Sequence, residues 1–163
     1  MAIVYLGIGS NVGDRQANME KALGLLREYK EIEVEAVSDW IETEPVGGPP
    51  QGKFLNGALR IQTDLLPLEL LGRLKMIERR LGRQKAEPNA PRPMDLDILF
   101  YDDVVIVEGK RLHIPHPRMA VRRFVLEPLC QIAPDAVHPT LGKTVRDLYQ
   151  ILIHEGHRQT AGA

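Results

Sequence analysis

The segment Asp95-Leu96-Asp97-Ile98-Leu99 carries the most chemical information in the chain. On a strand the side chains alternate, so Asp95 and Asp97 share one face while Leu96 and Ile98 share the other. Two like carboxylates side by side repel, and burying them without a counter-charge is costly. A cation between them answers both problems. Magnesium suits such a pair, because it takes oxygen ligands, keeps several waters and bridges carboxylates to substrate phosphates. The competing reading is a solvated strand end with two ordinary surface acids, and the short pattern alone leaves both open.

The flanking charges favour the metal. Arg83, Lys85 and Arg92 precede the pair, and the stretch from Gly109 to Leu126 holds no acid but has Lys110, Arg111, Arg118, Arg122 and Arg123, with His113 and His116. Carboxylates that hold metal beside cations that hold phosphate oxygens account for both signs, so a polyphosphate substrate with magnesium is expected. Singly, each arginine reads equally as a solvated surface charge. The two histidines read as strand or turn residues satisfied by backbone; His-x-x-His without a visible third ligand makes no zinc site.

Other chemistries are excluded by what the motifs lack. Gly7, Gly9 and Gly13 lie between the first strand pattern and the first helix pattern, but a dinucleotide fingerprint needs glycine at position 12, where Val12 stands. That run reads as a tight strand-to-helix turn able to face a ligand with its backbone. The chain has no phosphate-binding Gly-x-x-x-x-Gly-Lys-Ser/Thr loop and no Gly-x-Ser-x-Gly elbow. The single cysteine, Cys130, sits in an apolar run and reads as a small buried hydrophobe.

The elements that must position these groups follow from periodicity. Ala2 to Ile8 reads as a buried strand, and Asp14 as the cap of a helix whose stripe is Met19, Ala22, Leu23 and Leu26. Residues 32–41 read as a second strand, 44–53 as a Pro/Gly loop, and Phe54 to Thr63 as a third strand with Phe54 and Asn56 on one face. Pro67 starts a helix carrying Leu70, Leu74, Ile77 and Leu81. A loop from Arg83 to Met94 leads to strands at Asp95–Tyr101 and Val104–Val107. Two helices close the chain, one near Met119 to Ile132 broken at Pro128, the other from Thr144 to about Glu155, with a frayed tail from about 157.

This order predicts an α+β fold: a ferredoxin-like antiparallel sheet with helices packed on it, enlarged by extra C-terminal elements. A length of 163 residues with 44% apolar and 26% charged residues fits one soluble domain spanning 1–163. The net charge of −1 argues against a general nucleic-acid binder. No apolar run approaches the ~20 residues of a membrane helix, and the start of the chain lacks a signal-peptide pattern, so a cytoplasmic protein without membrane partners is expected.

Four ordered runs carry a resemblance: Gly9-Ser10-Asn11-Val12-Gly13-Asp14-Arg15; Phe54-Leu55-Asn56; Ala90-Pro91-Arg92-Pro93-Met94-Asp95-Leu96-Asp97-Ile98-Leu99; and Pro115-His116-Pro117-Arg118-Met119 with Arg122-Arg123-Phe124. Over nearly its whole length the chain resembles the 6-hydroxymethyl-7,8-dihydropterin pyrophosphokinases of folate biosynthesis. The resemblance implies transfer of the βγ-pyrophosphoryl group of ATP to the pterin hydroxymethyl oxygen, with release of AMP. It implies that Asp95 and Asp97 bind two magnesium ions, and that Arg83, Arg92 and Lys85 are loop cations engaging phosphate. Glu78, Ile98, Arg111, His113, His116 and Arg122 correspond to the ATP site. Thr43, Pro45, Val46, Phe54, Asn56 and Phe124 correspond to the pterin pocket. The residue types agree: two phenylalanines offer stacking faces, and the Asn56 amide can read a ring edge that both donates and accepts. The expected partners are small molecules, and the expected state is a monomer. Two rivals remain open from the residues alone: another magnesium-dependent nucleotidyl or phosphoryl transferase, or a nucleic-acid module using the basic 110–123 stretch.

Overall fold

A computed structural model describes residues 1–43, 52–82 and 94–161, with side chains through Glu155. Strand β1 (Ala2–Ser10) lies between β4 (Phe54–Thr63) and β5 (Asp95–Tyr101), antiparallel to both, and β2 (Ile32–Val37) pairs with the far side of β4. The order β2-β4-β1-β5, with helices α1 (Arg15–Glu28) and α2 (Pro67–Arg80) in the connections, is the expected ferredoxin-like arrangement. A short β3 (Ile41–Thr43) also pairs with β4. The C-terminal additions are a hairpin of β6 (Ile106–Glu108) and β7 (Leu112–Ile114), then helices α3 (Arg123–Ile132) and α4 (Val145–Ala161).

The two sheet faces have separate cores. Val4, Leu6, Ile8, Leu59, Ile61, Leu96 and Ile98 meet Met19, Ala22, Leu23 and Leu26 of α1 and Leu70, Leu74 and Ile77 of α2. On the other face Ala58, Leu99 and Phe100 meet Leu126 and Leu129 of α3 and Val145 and Leu148 of α4. Asp14 caps α1 as expected, its carboxylate accepting the Ala17 amide at 3.1 Å.

Five local expectations are corrected. Gly7 and Gly9 belong to strand β1, which runs to Ser10; the strand-to-helix turn holds only Gly13, at φ 70°. The strand expected over 32–41 ends at Val37: the Ser38 amide still donates to the Ala58 carbonyl at 2.9 Å, but the Ala58 amide turns to the Ser38 hydroxyl at 2.8 Å. The strand expected at 104–107 is β6 at 106–108, and its partner β7 was not foreseen, since three-residue strands are too short to show alternation.

The helical break falls at Arg122, between a 3-10 turn (Met119–Val121) and α3, while Pro128 lies inside α3. An interior proline costs about 3 kcal/mol. Burial of Leu126 and Leu129, roughly 1.5–3 kcal/mol each, offsets it. Helix α4 continues to Ala161, past the point where fraying is expected.

Candidate active site

Strand β5 is an edge strand of the sheet, and its register on β1 is the origin of the site. The cross-strand pairs are Gly9↔Asp95 and Gly7↔Asp97, so both aspartates stand on the α3/α4 face while Leu96 and Ile98 enter the α1/α2 core. A register shift opposite Tyr5 and Leu6 then adds Leu99 and lets Phe100 pair with Tyr5. Leu99 and Phe100 thereby both join the α3/α4 core, and the aspartates lie at the end of the strand that this core leaves uncovered. Both are half-buried.

A cavity of about 560 Å³ runs along the free edge of β5, between α2, the β6–β7 hairpin and the turn after it. Asp95, Asp97, Ile98, Glu78, Arg111, His113, His116 and Arg122 all line it, so eight residues expected from the sequence come together in one place. Its charged lining is three carboxylates against five cations: Lys75, Lys110, Arg111, Arg118 and Arg122. A chain of net charge −1 thus concentrates positive charge around an acidic pair, which suits a polyanion carried with a divalent metal.

Local contacts explain why these side chains are held. The Glu78 carboxylate is buried and accepts the Leu96 amide at 2.9 Å, which ties α2 to the outer edge of β5. His113 Nε2 donates to the Gly109 carbonyl at 2.6 Å, fixing the ring in its hairpin. His116 Nδ1 accepts the Arg118 amide at 3.3 Å, which assigns the ring proton to Nε2. Burial, and then the Arg122 guanidinium, push the His116 pKa below its ordinary 6.5 against the opposing pull of Asp95. At neutral pH His116 is therefore an uncharged donor.

Among the described residues no group of three or more His, Cys, Asp or Glu side chains could hold a metal ion. Asp95 and Asp97 offer two hard oxygen donors beside a basic cavity large enough for more than a phosphate group. That donor set fits magnesium, which fills its remaining positions with water and phosphate oxygens, and it does not fit zinc.

The other expected residues lie on the same face, one and two strands away. Asn56 pairs with Gly9, which pairs with Asp95, so the three form one row across β4, β1 and β5. At strand spacings of about 4.8 Å, the outer two backbones of the row are roughly 10 Å apart. Phe54 is two residues along β4 on the same face, and Thr43 of β3 stands opposite it. Phe124 is in the first turn of α3, which packs on β4; the Arg122 guanidinium sits 5.5 Å from the Phe124 ring centroid and links the two halves. Pro45, Val46, Arg83, Lys85 and Arg92 lie outside the described residues.

The sequence reading missed Leu71 and Lys75 of the cavity wall, and Gly9 as the centre of the row. The spacing of Leu71, Lys75 and Glu78 was a usable helical signal. Gly9 carried none, because its importance is what lies across the strand.

The family model of 7,8-dihydro-6-hydroxymethylpterin-pyrophosphokinase matches residues 5–134, the span that contains every element of this site. The chain belongs to that family. A pyrophosphokinase relative, the 2-amino-4-hydroxy-6-hydroxymethyldihydropteridine pyrophosphokinase of Aquifex aeolicus, is 43% identical over 147 residues, 90% of this chain and 90% of its own length. The enzyme of that name from Bacillus subtilis is 45% identical over 130 residues, covering 80% and 77%. A solved structure of Plasmodium falciparum HPPK-DHPS, wild type with pteroate, superposes at a TM-score of 0.80 with 17% identity, a likeness of fold. It covers 98% of this chain, which spans 44% of that longer one. As a member of the family the chain is a pyrophosphokinase of folate biosynthesis, with ATP as co-substrate. No helix of the described residues is long and apolar enough to cross a membrane.

Proposed function

We propose that the site divides the pyrophosphokinase reaction between the two ends of the Asn56–Gly9–Asp95 row. The β5 end and its cavity take ATP. Lys110, Arg111 and Arg122 bind phosphate oxygens, with Arg83, Lys85 and Arg92 joining them, while Glu78, Ile98, His113 and His116 surround the nucleotide. The β4 end takes 6-hydroxymethyl-7,8-dihydropterin, with Phe54 and Phe124 against the ring faces, Asn56, Pro45 and Val46 around its edge, and Thr43 completing the pocket behind the Asn56 amide.

Asp95 and Asp97 hold magnesium, two ions in this reading. When bound, the metal neutralises phosphate charge and lowers the cost of ionising the attacking hydroxyl. The rest of the work is alignment by this chain's own residues. The pterin hydroxymethyl oxygen attacks the β-phosphorus of ATP and the bond from that phosphorus to the α,β-bridging oxygen breaks. AMP leaves on the bridging oxygen, and the hydroxyl proton passes to Asp97 or to water. His116 donates from Nε2 into the cavity, its Nδ1 being taken up by the Arg118 amide. One chain supplies every residue named, so a monomer is the proposed active form, working in the cytoplasm where ATP and magnesium are abundant.

The observation that carries this reading is the row itself: an amide that can read a ring edge and a metal-binding carboxylate, separated by one glycine, on one sheet face. Product analysis tests it. With magnesium, ATP and 6-hydroxymethyl-7,8-dihydropterin, phosphorus NMR should show AMP and a pterin diphosphate in equal amounts, both lost on chelation of the metal. ADP as the nucleotide product would mean attack at the γ-phosphorus and would overturn the assignment.

A further inference from the structure

Asn56 is buried, and its carboxamide lies across three strands. Toward β3, Nδ2 donates to the Thr43 hydroxyl at 2.6 Å. Toward β1, Oδ1 occupies the space that a side chain at Gly9 would take: a Cβ there would stand 2.5 Å from Oδ1, far inside contact distance. The same Cβ would stand 3.6 Å from Asn56 Cγ and from the Leu55 carbonyl, ordinary van der Waals separations. Among the described residues the positive-φ glycines are Gly13, Gly82, Gly109 and Gly142, so the Gly9 backbone is one that any residue adopts. Glycine at position 9 is therefore required by the amide, not by the strand.

We propose that Gly9 and Thr43 are positioning residues for the pterin substrate: they fix the Asn56 carboxamide across β4, with Oδ1 held over β1 on the side of Asp95. The inference rests on the reading of Asn56 as a pterin-binding residue. An acceptor fixed there fits a ring edge that presents an N–H donor above Gly9, and it leaves the hydroxymethyl arm directed along the row toward the metal-binding aspartates. A methyl group at position 9 meets only the far end of a side chain that can rotate. Gly9→Ala therefore folds, with the amide swung out of place.

Steady-state kinetics with 6-hydroxymethyl-7,8-dihydropterin and magnesium-ATP test this in wild type, Gly9→Ala, Thr43→Val, Asn56→Ala and the double variant Gly9→Ala with Asn56→Ala. Gly9→Ala and Thr43→Val should each raise the KM for the pterin about tenfold, the scale of one lost buried hydrogen bond, with the KM for ATP unchanged. The double variant should be no worse than Asn56→Ala alone, because Gly9 acts through Asn56. An unchanged pterin KM in Gly9→Ala, or losses that multiply in the double variant, would overturn the proposal. If Gly9→Ala fails to fold, Thr43→Val reads the same amide from its other end, and an unchanged pterin KM there overturns it equally. Should Asn56→Ala itself leave the pterin KM unmoved, the assignment of Asn56 to the pterin has failed; should it raise that KM while the two positioning variants do not, only the present inference has failed.

Discussion

On the α1/α2 face of the sheet, Val4, Leu6, Ile8, Leu59, Ile61, Leu96 and Ile98 form a continuous aliphatic layer with the helices above them. On the opposite face the same three strands carry Gly7, Gly9, Asn56, Asp95 and Asp97 at the end that α3 and α4 leave open. The two faces differ in tolerance as well as content. The aliphatic face fixes register, since a slip of one residue would turn Leu96 and Ile98 to the site and both aspartates into the core. The open end of the other face takes the same register, which a second core of Ala58, Leu99 and Phe100 under α3 and α4 also secures further along the strands. Stability and chemistry are therefore separable here, residue by residue along a single strand.

The largest expected effect is on the polar face. Asp97→Asn should lower turnover on the order of a thousandfold, as when a centre of transition-state charge stabilisation is removed. Its melting temperature should change little, because Asp97 is half-buried and belongs to neither hydrophobic core. A matching loss of melting temperature would break the comparison. Leu26→Ala on α1 is the complementary case. Leu26 is fully buried in the aliphatic core, so its truncation should cost about 2–5 kcal/mol in urea unfolding. The turnover of the molecules that remain folded should not change.

Two glycines then sharpen the contrast. Gly57 pairs with Ile8 on the aliphatic face, and a Cβ there would overlap the Trp40 indole. That ring is half-buried against the core, with its Nε1 donating to Glu20 at 3.2 Å. Gly57→Ala should cost about 1–3 kcal/mol of stability and shift the emission of Trp40, the sole tryptophan. Gly9→Ala, one strand away and on the other face, should leave both readings near wild type.

The smallest effect is expected from pH. His138 packs edge-on against Phe100 under α3 and α4, and its Nδ1 accepts the Thr140 and Leu141 amides at 3.2 and 3.0 Å. Burial lowers its pKa below the ordinary 6.5. The unfolded chain then binds the proton more readily than the folded one. Its contribution to stability is therefore complete above pH 6.5 and is lost as pH falls from there toward the folded value. Denaturant midpoints measured across that range should decline in wild type and decline less in His138→Asn.

Much of this architecture was legible because it is written in short periods. The stripe Met19, Ala22, Leu23 and Leu26, the alternation of Phe54 to Thr63 and the Asp-Leu-Asp-Ile pattern each specify a face without outside help. The failures share a cause. Ser38 ended β2 through a bond to Ala58, twenty positions away, and Pro128 stayed helical because Leu126 and Leu129 had β4 to pack on. Neither partner could be read from local pattern. The cations after Gly109 were recognisable as a cluster, but Lys75 joined them only because α2 runs along the outer edge of β5.

The sequence by itself determined the residue types of the chemistry and the side of each strand on which they fall, because alternation along a strand is a local property. It also determined the order of the four longer strands and of the helices, from which the antiparallel sheet follows, but not the short β3 and β7. Only the tertiary structure decided that Asn56, Gly9 and Asp95 share one row and that Glu78, His116 and Arg122 close one cavity. It alone showed that a side chain at Gly9 would meet the Asn56 amide. Those are relations between strands. Register between strands is fixed by the packing of the aliphatic face, which couples residues dozens of positions apart.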